Sequence, residues 1–410
     1  MSDGPLVDAT PAEALAAWRS ALGEAGALHA TTIERRDLRG AHGHVLARDV
    51  YALQPSPPFR CAAMDGYAVR AAATSGATAE APVVLAAGAY APIDTGQYLD
   101  ESWDAVLPVE LTAPDPNGVA ATAAVIAGAN VRAAGEDVPG GRRVLERGRR
   151  LTPFDVALAA SCGHAALDVQ APPRIAILPT GEELRPAGSE LAPGESIESN
   201  SIMLAGLADD AGAHALTLPS AQDDPVAIRA AMLAAVDHCD LLLLLSGSSR
   251  GRRDHAAAVL AGLGALVVRG VAQRPGHPVL LAVVGSTPVI GVPGYPAAAA
   301  QTWSAFALPI VAELAGLRAA PPLLVTAELT APVASRPDSE LLIPVTLEQR
   351  GDGPPLATPL SRRGSALAAL AGADATLHLA AGVRHEAGAR VGVLPLRATA
   401  VAATRSPVPR

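Results

Sequence analysis

Asp240-Leu-Leu-Leu-Leu-Leu-Ser-Gly-Ser-Ser-Arg-Gly251 decides the fold class. Five consecutive leucines carry neither a helical nor an alternating period, and Ser246-Gly247 stops them at once. A run this short, apolar on every side and ended by turn residues, reads as a strand buried on both faces of a parallel sheet. The chain then passes Arg274-Pro-Gly-His-Pro278 and reaches Val289-Ile-Gly-Val-Pro-Gly-Tyr-Pro296. The three segments repeat one design, an apolar strand running into a loop of Gly, Pro and Ser. In open α/β sheets such loops lie at the carboxyl ends of strands, where ligands bind. Glycine lets the backbone approach a ligand closely, and proline fixes the turn.

Working outward, strand and helix patterns alternate. Strands are predicted over 174–178, 214–218, 279–284 and 289–292. Helices are predicted over 200–211, 224–236, from about 254, and over 297–314. That alternation implies a doubly wound parallel sheet. Upstream, Thr10-Pro-Ala-Glu13 is a capping box with proline at the first helical position, so a helix should run to about Gly26. Thr152-Pro-Phe-Asp155 starts another, closed by Gly163. Between them, residues 82–126 read as short strands broken by Asp, Pro, Gly and Asn, a small β domain inserted into a helical one. Beyond Pro321-Pro322, strands over 323–330, 341–347, 375–379 and 390–396 predict a small β domain or barrel. The expected organisation is a helical and extended base (1–50 with 140–172), an inserted β domain (51–139), an α/β domain (173–320), a C-terminal β domain (321–400) and a frayed tail (401–410).

A chain of 410 residues exceeds one ordinary core, which agrees with several domains. It contains no lysine, so arginine supplies all its fixed cationic charge. A net charge of -9 argues against a general nucleic-acid surface. Cys61, Cys162 and Cys239 have neither metal-like spacing nor an even count, which suits a reducing cytoplasm. No basic start precedes an apolar stretch, and no apolar run reaches about 18 residues, so neither a signal peptide nor a membrane span is expected.

A set of motifs in fixed order carries a resemblance. Ala63-Met-Asp-Gly-Tyr-Ala-Val69, Thr95-Gly96, Gly135-Glu-Asp-Val138, Thr180-Gly-Glu-Glu-Leu184, Ser199-Asn200, Pro275-Gly-His-Pro278 and Pro293-Gly-Tyr-Pro296 resemble those of the molybdopterin molybdenumtransferases, the MoeA and gephyrin E-domain family. The resemblance covers essentially the whole chain, and Met-Asp-Gly-Tyr-Ala is highly specific by itself. It implies the four domains above, the α/β one binding molybdopterin, in an elongated homodimer whose active site lies between one subunit's α/β domain and parts of the other. It implies insertion of molybdate into adenylylated molybdopterin with divalent-metal-dependent release of AMP.

Carried over by position, the resemblance places functional acids at Asp65, Asp137, Glu183, Asp224 (or Asp223) and Asp254, with Thr95 beside them. Asp65, Asp137, Glu183 and Asp254 would hold Mg²⁺, a hard cation that takes oxygen ligands and bridges to phosphates. It places substrate contacts at Thr180, Gly181, Ser246, Gly247, Ser249, Pro293 and Pro296. Oxyanion contacts fall at Arg274, His277, Arg336 and Ser365. Other readings of the same residues stay open. Asp65 in a turn could bond its own backbone. Thr180-Gly-Glu-Glu183 also reads as a helix N-cap with acids in the first turn, and Asp223-Asp-Pro225 as a helix start. Arg336 and Ser365 also read as a solvated loop.

The ligand loops depart from the family pattern. Ser-Gly-Gly-Val-Ser-x-Gly-x-x-Asp is here Ser246-Gly-Ser-Ser-Arg-Gly-Arg-Arg-Asp254, one residue shorter, with Arg250, Arg252 and Arg253 at the carboxyl end of a strand. The second lysine of Lys-Pro-Gly-Lys-Pro is His277, the asparagine of Pro-Gly-Asn-Pro is Tyr295, and the Asn-Ser before Ala-Met-Asp-Gly-Tyr is Cys61-Ala62. An alternative function is therefore a catalytically impaired relative that binds molybdopterin or finished cofactor for delivery or sensing.

Overall fold

The computed structural model describes residues 5–246, 255–360 and 366–396. Gly247, Ser249, Arg250, Arg252, Arg253, Asp254 and Ser365 lie outside the described residues. The chain forms two units, Ile33–Val169 and Met1–Thr32 with Gln170–Arg410.

In the larger unit a seven-stranded sheet has the order Leu6–Ala9, Ala265–Val271, Leu280–Val284, Thr287–Pro293, Leu241–Ser246, Arg174–Pro179, His214–Thr217. The leucine run is central and buried, with strands paired in parallel on both sides. Its residues alternate between two cores. Leu241, Leu243 and Leu245 face Trp18, Leu204, Phe306 and Ile310, whereas Leu242 and Leu244 face Ile228, Met232 and Leu260. Each buried leucine contributes about 1.5–3 kcal/mol relative to exposure, and neither face can accept a polar residue.

Two features differ from the sequence reading. The sheet is parallel except for Leu280–Val284, which runs antiparallel to both neighbours. Gly285-Ser286 forms too short a connection for a crossover and turns the chain straight back. The N-terminal segment, grouped with the base by its sequence, joins the α/β unit instead. Leu6–Ala9 extends the sheet beside Ala265–Val271, and the Pro11–Glu24 helix buries Trp18, whose indole N–H donates to Ala282 O at 2.8 Å. That helix is capped as expected, by Thr10 and Glu13.

The C-terminal strands close on themselves. Glu340–Glu348, Leu356–Pro359, Val325–Leu329, Arg390–Pro395 and Ala375–Leu379 pair in sequence, and the last pairs again with the first. The result is a five-stranded barrel around Ala327, Ile343, Val345, Leu377 and Val393. Gln273–Arg274, from the α/β part, adds to its Glu340–Glu348 strand.

In the smaller unit, the Pro153–Ser161 helix carries the expected capping box, Thr152 with Asp155. It packs on a core of Leu46, Val50, Leu145, Leu151 and Val169. Val50–Tyr51 pairs with Arg143–Leu145, bringing together the two ends of the strand-rich stretch between them. Within that stretch, Gly66–Val69 lies between Tyr90–Ile93 and Ala105–Pro108 in an antiparallel sheet. A second sheet joins Val83–Ala86, Gly118–Ala121 and Thr112–Asp115.

Candidate active site

From Arg174–Pro179 the chain passes to one neighbour, His214–Thr217, and then returns to the other, Leu241–Ser246. Such a reversal of strand order leaves a crevice at the carboxyl ends of the strands. The parallel register brings Pro179, Leu245, Ser246 and Pro293 to the same end. A cavity of about 520 Å³ opens there, lined by Thr180, Glu183, Asn200, Ser246, Pro293 and Tyr295 among others. That volume lies in the range for a small-molecule site.

The Thr180 turn begins no helix. Thr180 N–H and its hydroxyl both donate to Leu245 O at 2.9 Å, and Leu184–Arg185 pairs in parallel with Ser196–Ile197. Thr180 therefore fixes the end of the strand, and its hydroxyl proton is already engaged. A Cβ on Gly181 would stand 2.8 Å from a Glu183 carboxylate oxygen, so the turn brings that acid back over its own backbone. Glu183 itself is exposed at the cavity.

Asn200 was legible only as half of a Ser-Asn pair, and its place in the wall was not. It is 8% exposed. Its Nδ2 donates to Gly294 O at 2.7 Å, tying the Asn200–Asp210 helix to the Pro293-Gly-Tyr-Pro296 turn. Its Oδ1 is buried with no hydrogen-bond partner among the described residues. Glu198 replaces Ser199 as the cap of this helix, accepting from Ser201 N–H and its hydroxyl. The only signal for this was an acid just ahead of the helix start. Pro296 opens the next helix, Pro296–Thr302, and Tyr295 before it stands 79% exposed on the cavity wall.

The 274–278 loop serves two cavities. Pro278 lines the first. Arg274 and Pro275 line a second, of about 250 Å³, with Ala297, Leu342, Pro344 and Leu370. Buried Gln273 holds the loop, donating to Gly276 O at 3.2 Å, and Gly276 at φ 99° has room for no side chain, since a Cβ would stand 2.7 Å from that amide. His277 lines neither cavity. Its Nδ1 lies 2.9 Å from Val271 O and its Nε2 3.5 Å from Asp8 Oδ1. Arg336 is exposed in a barrel loop, so the structure does not bring it to either cavity wall.

In the smaller unit Asp65 and Thr95, thirty residues apart, meet. Thr95 N–H and its hydroxyl both donate to Asp65 Oδ1 at 2.7 Å. These two bonds, the backbone one first, hold the Asp65 carboxyl below its ordinary pKa. Asp137 is exposed, with its N–H donating to Ser56 O. Asp224 caps the Pro225–Val236 helix through Ala227 N–H at 2.9 Å, and it does not line the cavity, nor does Asp223. Among the described residues, no three His, Cys, Asp or Glu side chains gather as a metal-binding cluster.

The comparisons with known proteins match the chain in three successive segments. Residues 9–163 match the MoeA N-terminal region (domain I and II), 176–313 a probable molybdopterin binding domain, and 326–396 the MoeA C-terminal region (domain IV). This chain belongs to the MoeA family. A Mycobacterium tuberculosis relative, molybdopterin molybdenumtransferase 2, is 35% identical over 328 residues, covering 73% of this chain and 80% of its own. A Bacillus subtilis molybdopterin molybdenumtransferase is 32% identical over 375 residues, covering 86% and 87%. The crystal structure of a molybdopterin biosynthesis MoeA protein from Pyrococcus horikosii superposes with a TM-score of 0.79 at 27% identity, covering 95% of this chain and 99% of that one. The cavity at the switch point therefore falls in the part of this MoeA-family chain that matches the molybdopterin-binding domain.

Proposed function

We infer that the protein is a molybdopterin molybdenumtransferase that inserts molybdate into molybdopterin during molybdenum cofactor biosynthesis. We further propose that molybdopterin arrives adenylylated and that AMP leaves. The observation that carries this is the cavity of about 520 Å³ at the strand-order reversal, walled by the loops that hold the family motifs. Its polar wall, with the Glu183 carboxylate and Ser246, suits a heterocycle rich in N–H groups. Phosphate and pterin contacts are assigned to the Thr180-Gly181, Ser246–Ser249 and Pro293–Pro296 loops.

Molybdate is a tetrahedral oxyanion, and with no lysine in the chain its cation must be Arg or His. Arg274 is exposed at the second cavity, next to the same loop, and its planar fork suits an oxyanion. Arg336 and Ser365 remain its proposed partners. His277 is a poorer choice, because both ring nitrogens already face Val271 O and Asp8.

Mg²⁺ is the proposed cation, with Asp65, Asp137, Glu183 and Asp254 as the side chains that would hold it. The three described ones are exposed carboxylates, the hard oxygen donors this ion takes. Bound there it would neutralise phosphate charge as AMP departs. The Thr95 bonds lower the Asp65 pKa and so favour its ionised form. We propose that the working form is a cytoplasmic homodimer. No described helix is long and apolar enough to cross a membrane. The test is complementation of a host lacking its molybdenum insertase, read through a molybdoenzyme activity. Restored activity is expected. A well-expressed, folded protein that restores none would favour the delivery or sensing role.

A further inference from the structure

We propose that Tyr295 is a stacking platform that grips a flat heteroaromatic ring of the substrate at the mouth of the large cavity. The proposal rests on reading that cavity as the substrate's and adds a specificity-determining contact to it. Tyr295 is 79% exposed and, unlike the other exposed aromatic residues, lines the large cavity. Exposure here is not slackness of the backbone. Asn200 Nδ2 holds Gly294 O on one side at 2.7 Å. On the other, Tyr295 O accepts Ala299 N–H at 2.9 Å in the first turn of the Pro296–Thr302 helix. Proline at 293 and 296 limits the turn further.

Among the described residues the side chain has no structural task that would explain it. Among the described residues its ring meets no other ring, and its hydroxyl makes no hydrogen bond. An aromatic face carried on a backbone already held in place suits stacking on a planar ligand, because the turn itself need not be ordered when the ligand arrives. An asparagine at 295 could not provide the face. Adenylylated molybdopterin carries two flat heterocycles, the pterin and the adenine, and either could occupy the platform.

The experiment titrates the full-length protein with pterin-6-carboxylate, followed by quenching of pterin fluorescence, and separately with AMP, followed by calorimetry. Wild type is compared with Tyr295→Phe, Tyr295→Trp, Tyr295→Ala and Tyr295→Asn. Stacking on an aromatic side chain corresponds to roughly 5- to 150-fold in affinity. We expect Ala and Asn to weaken one probe by about tenfold or more while Phe and Trp retain it, and the affected probe identifies the stacked ring. Thermal midpoints should be unchanged, since the side chain is exposed. Equal affinity of Ala and wild type for both probes would overturn the proposal, as would a loss in Phe equal to that in Ala. If wild type binds neither probe, the substrate reading of the cavity fails together with it.

Discussion

Asp65 occupies the exposed turn of Met64-Asp65-Gly66, where sequence alone favours a residue that bonds its own neighbours. Instead Thr95, thirty residues on, supplies both donors to one of its oxygens. Replacing Thr95 by Val removes the hydroxyl and leaves the N–H. The Asp65 pKa should then rise part of the way towards the ordinary value of about 3.9, as read by NMR titration of the side-chain carboxyl. An unmoved pKa would mean the hydroxyl does not hold the carboxylate. The sign for stability follows, because a depressed carboxyl pKa stabilises the fold above the unfolded value and that contribution is lost as pH falls through the folded one. Asp65→Asn keeps an oxygen for Thr95 but loses the charge. The variant should still fold, with at most a small loss of stability, while molybdate-dependent AMP release is abolished, and an active Asp65→Asn enzyme would reduce Asp65 to a turn residue.

Elements with local signals were legible. The Thr10 and Thr152 capping boxes and the five-leucine strand sit where their residues place them. Elements that depend on distant partners were not. Leu6–Ala9 and Ala265–Val271 become strands by pairing with each other across the chain. Thr180-Gly-Glu-Glu183 copies a helix start, yet the Leu245 carbonyl and the Ser196–Ile197 strand claim it for a turn. Asp224 shows the opposite case, a candidate acid that the structure uses as a cap. Asp224→Ala should therefore cost about 1 kcal/mol of stability, Asp224→Ser should recover most of it, and both should keep kcat and KM near wild type. A large fall in kcat for the stable Ser variant would return Asp224 to the catalytic group. At Gly66 an added Cβ would lie 2.1 Å from Leu107 O. Gly66→Ala should push Gly66–Val69 off Ala105–Pro108 and lower stability by about 1–3 kcal/mol, and a variant with an unchanged thermal midpoint would contradict that packing.

At the scale of the whole molecule, the ordered motifs identify the family, and the matched regions agree with them along the chain. What the sequence could not place was the direction of individual side chains. His277 reads as a cation beside the substrate loops, but lies against Val271 O and Asp8. Asn200 reads as a helix start, but forms part of the wall. Both depend on contacts between segments far apart in sequence. Light scattering on the eluting protein at micromolar concentration should give the mass of a dimer, and a monomer would remove the proposed assembly. Whether this chain is a working insertase is decided by AMP release. Purified protein is loaded with adenylylated molybdopterin, and AMP is measured on addition of molybdate with Mg²⁺. A working insertase should release AMP only with molybdate and stop when a chelator is added. Bound substrate that yields no AMP under those conditions would contradict it.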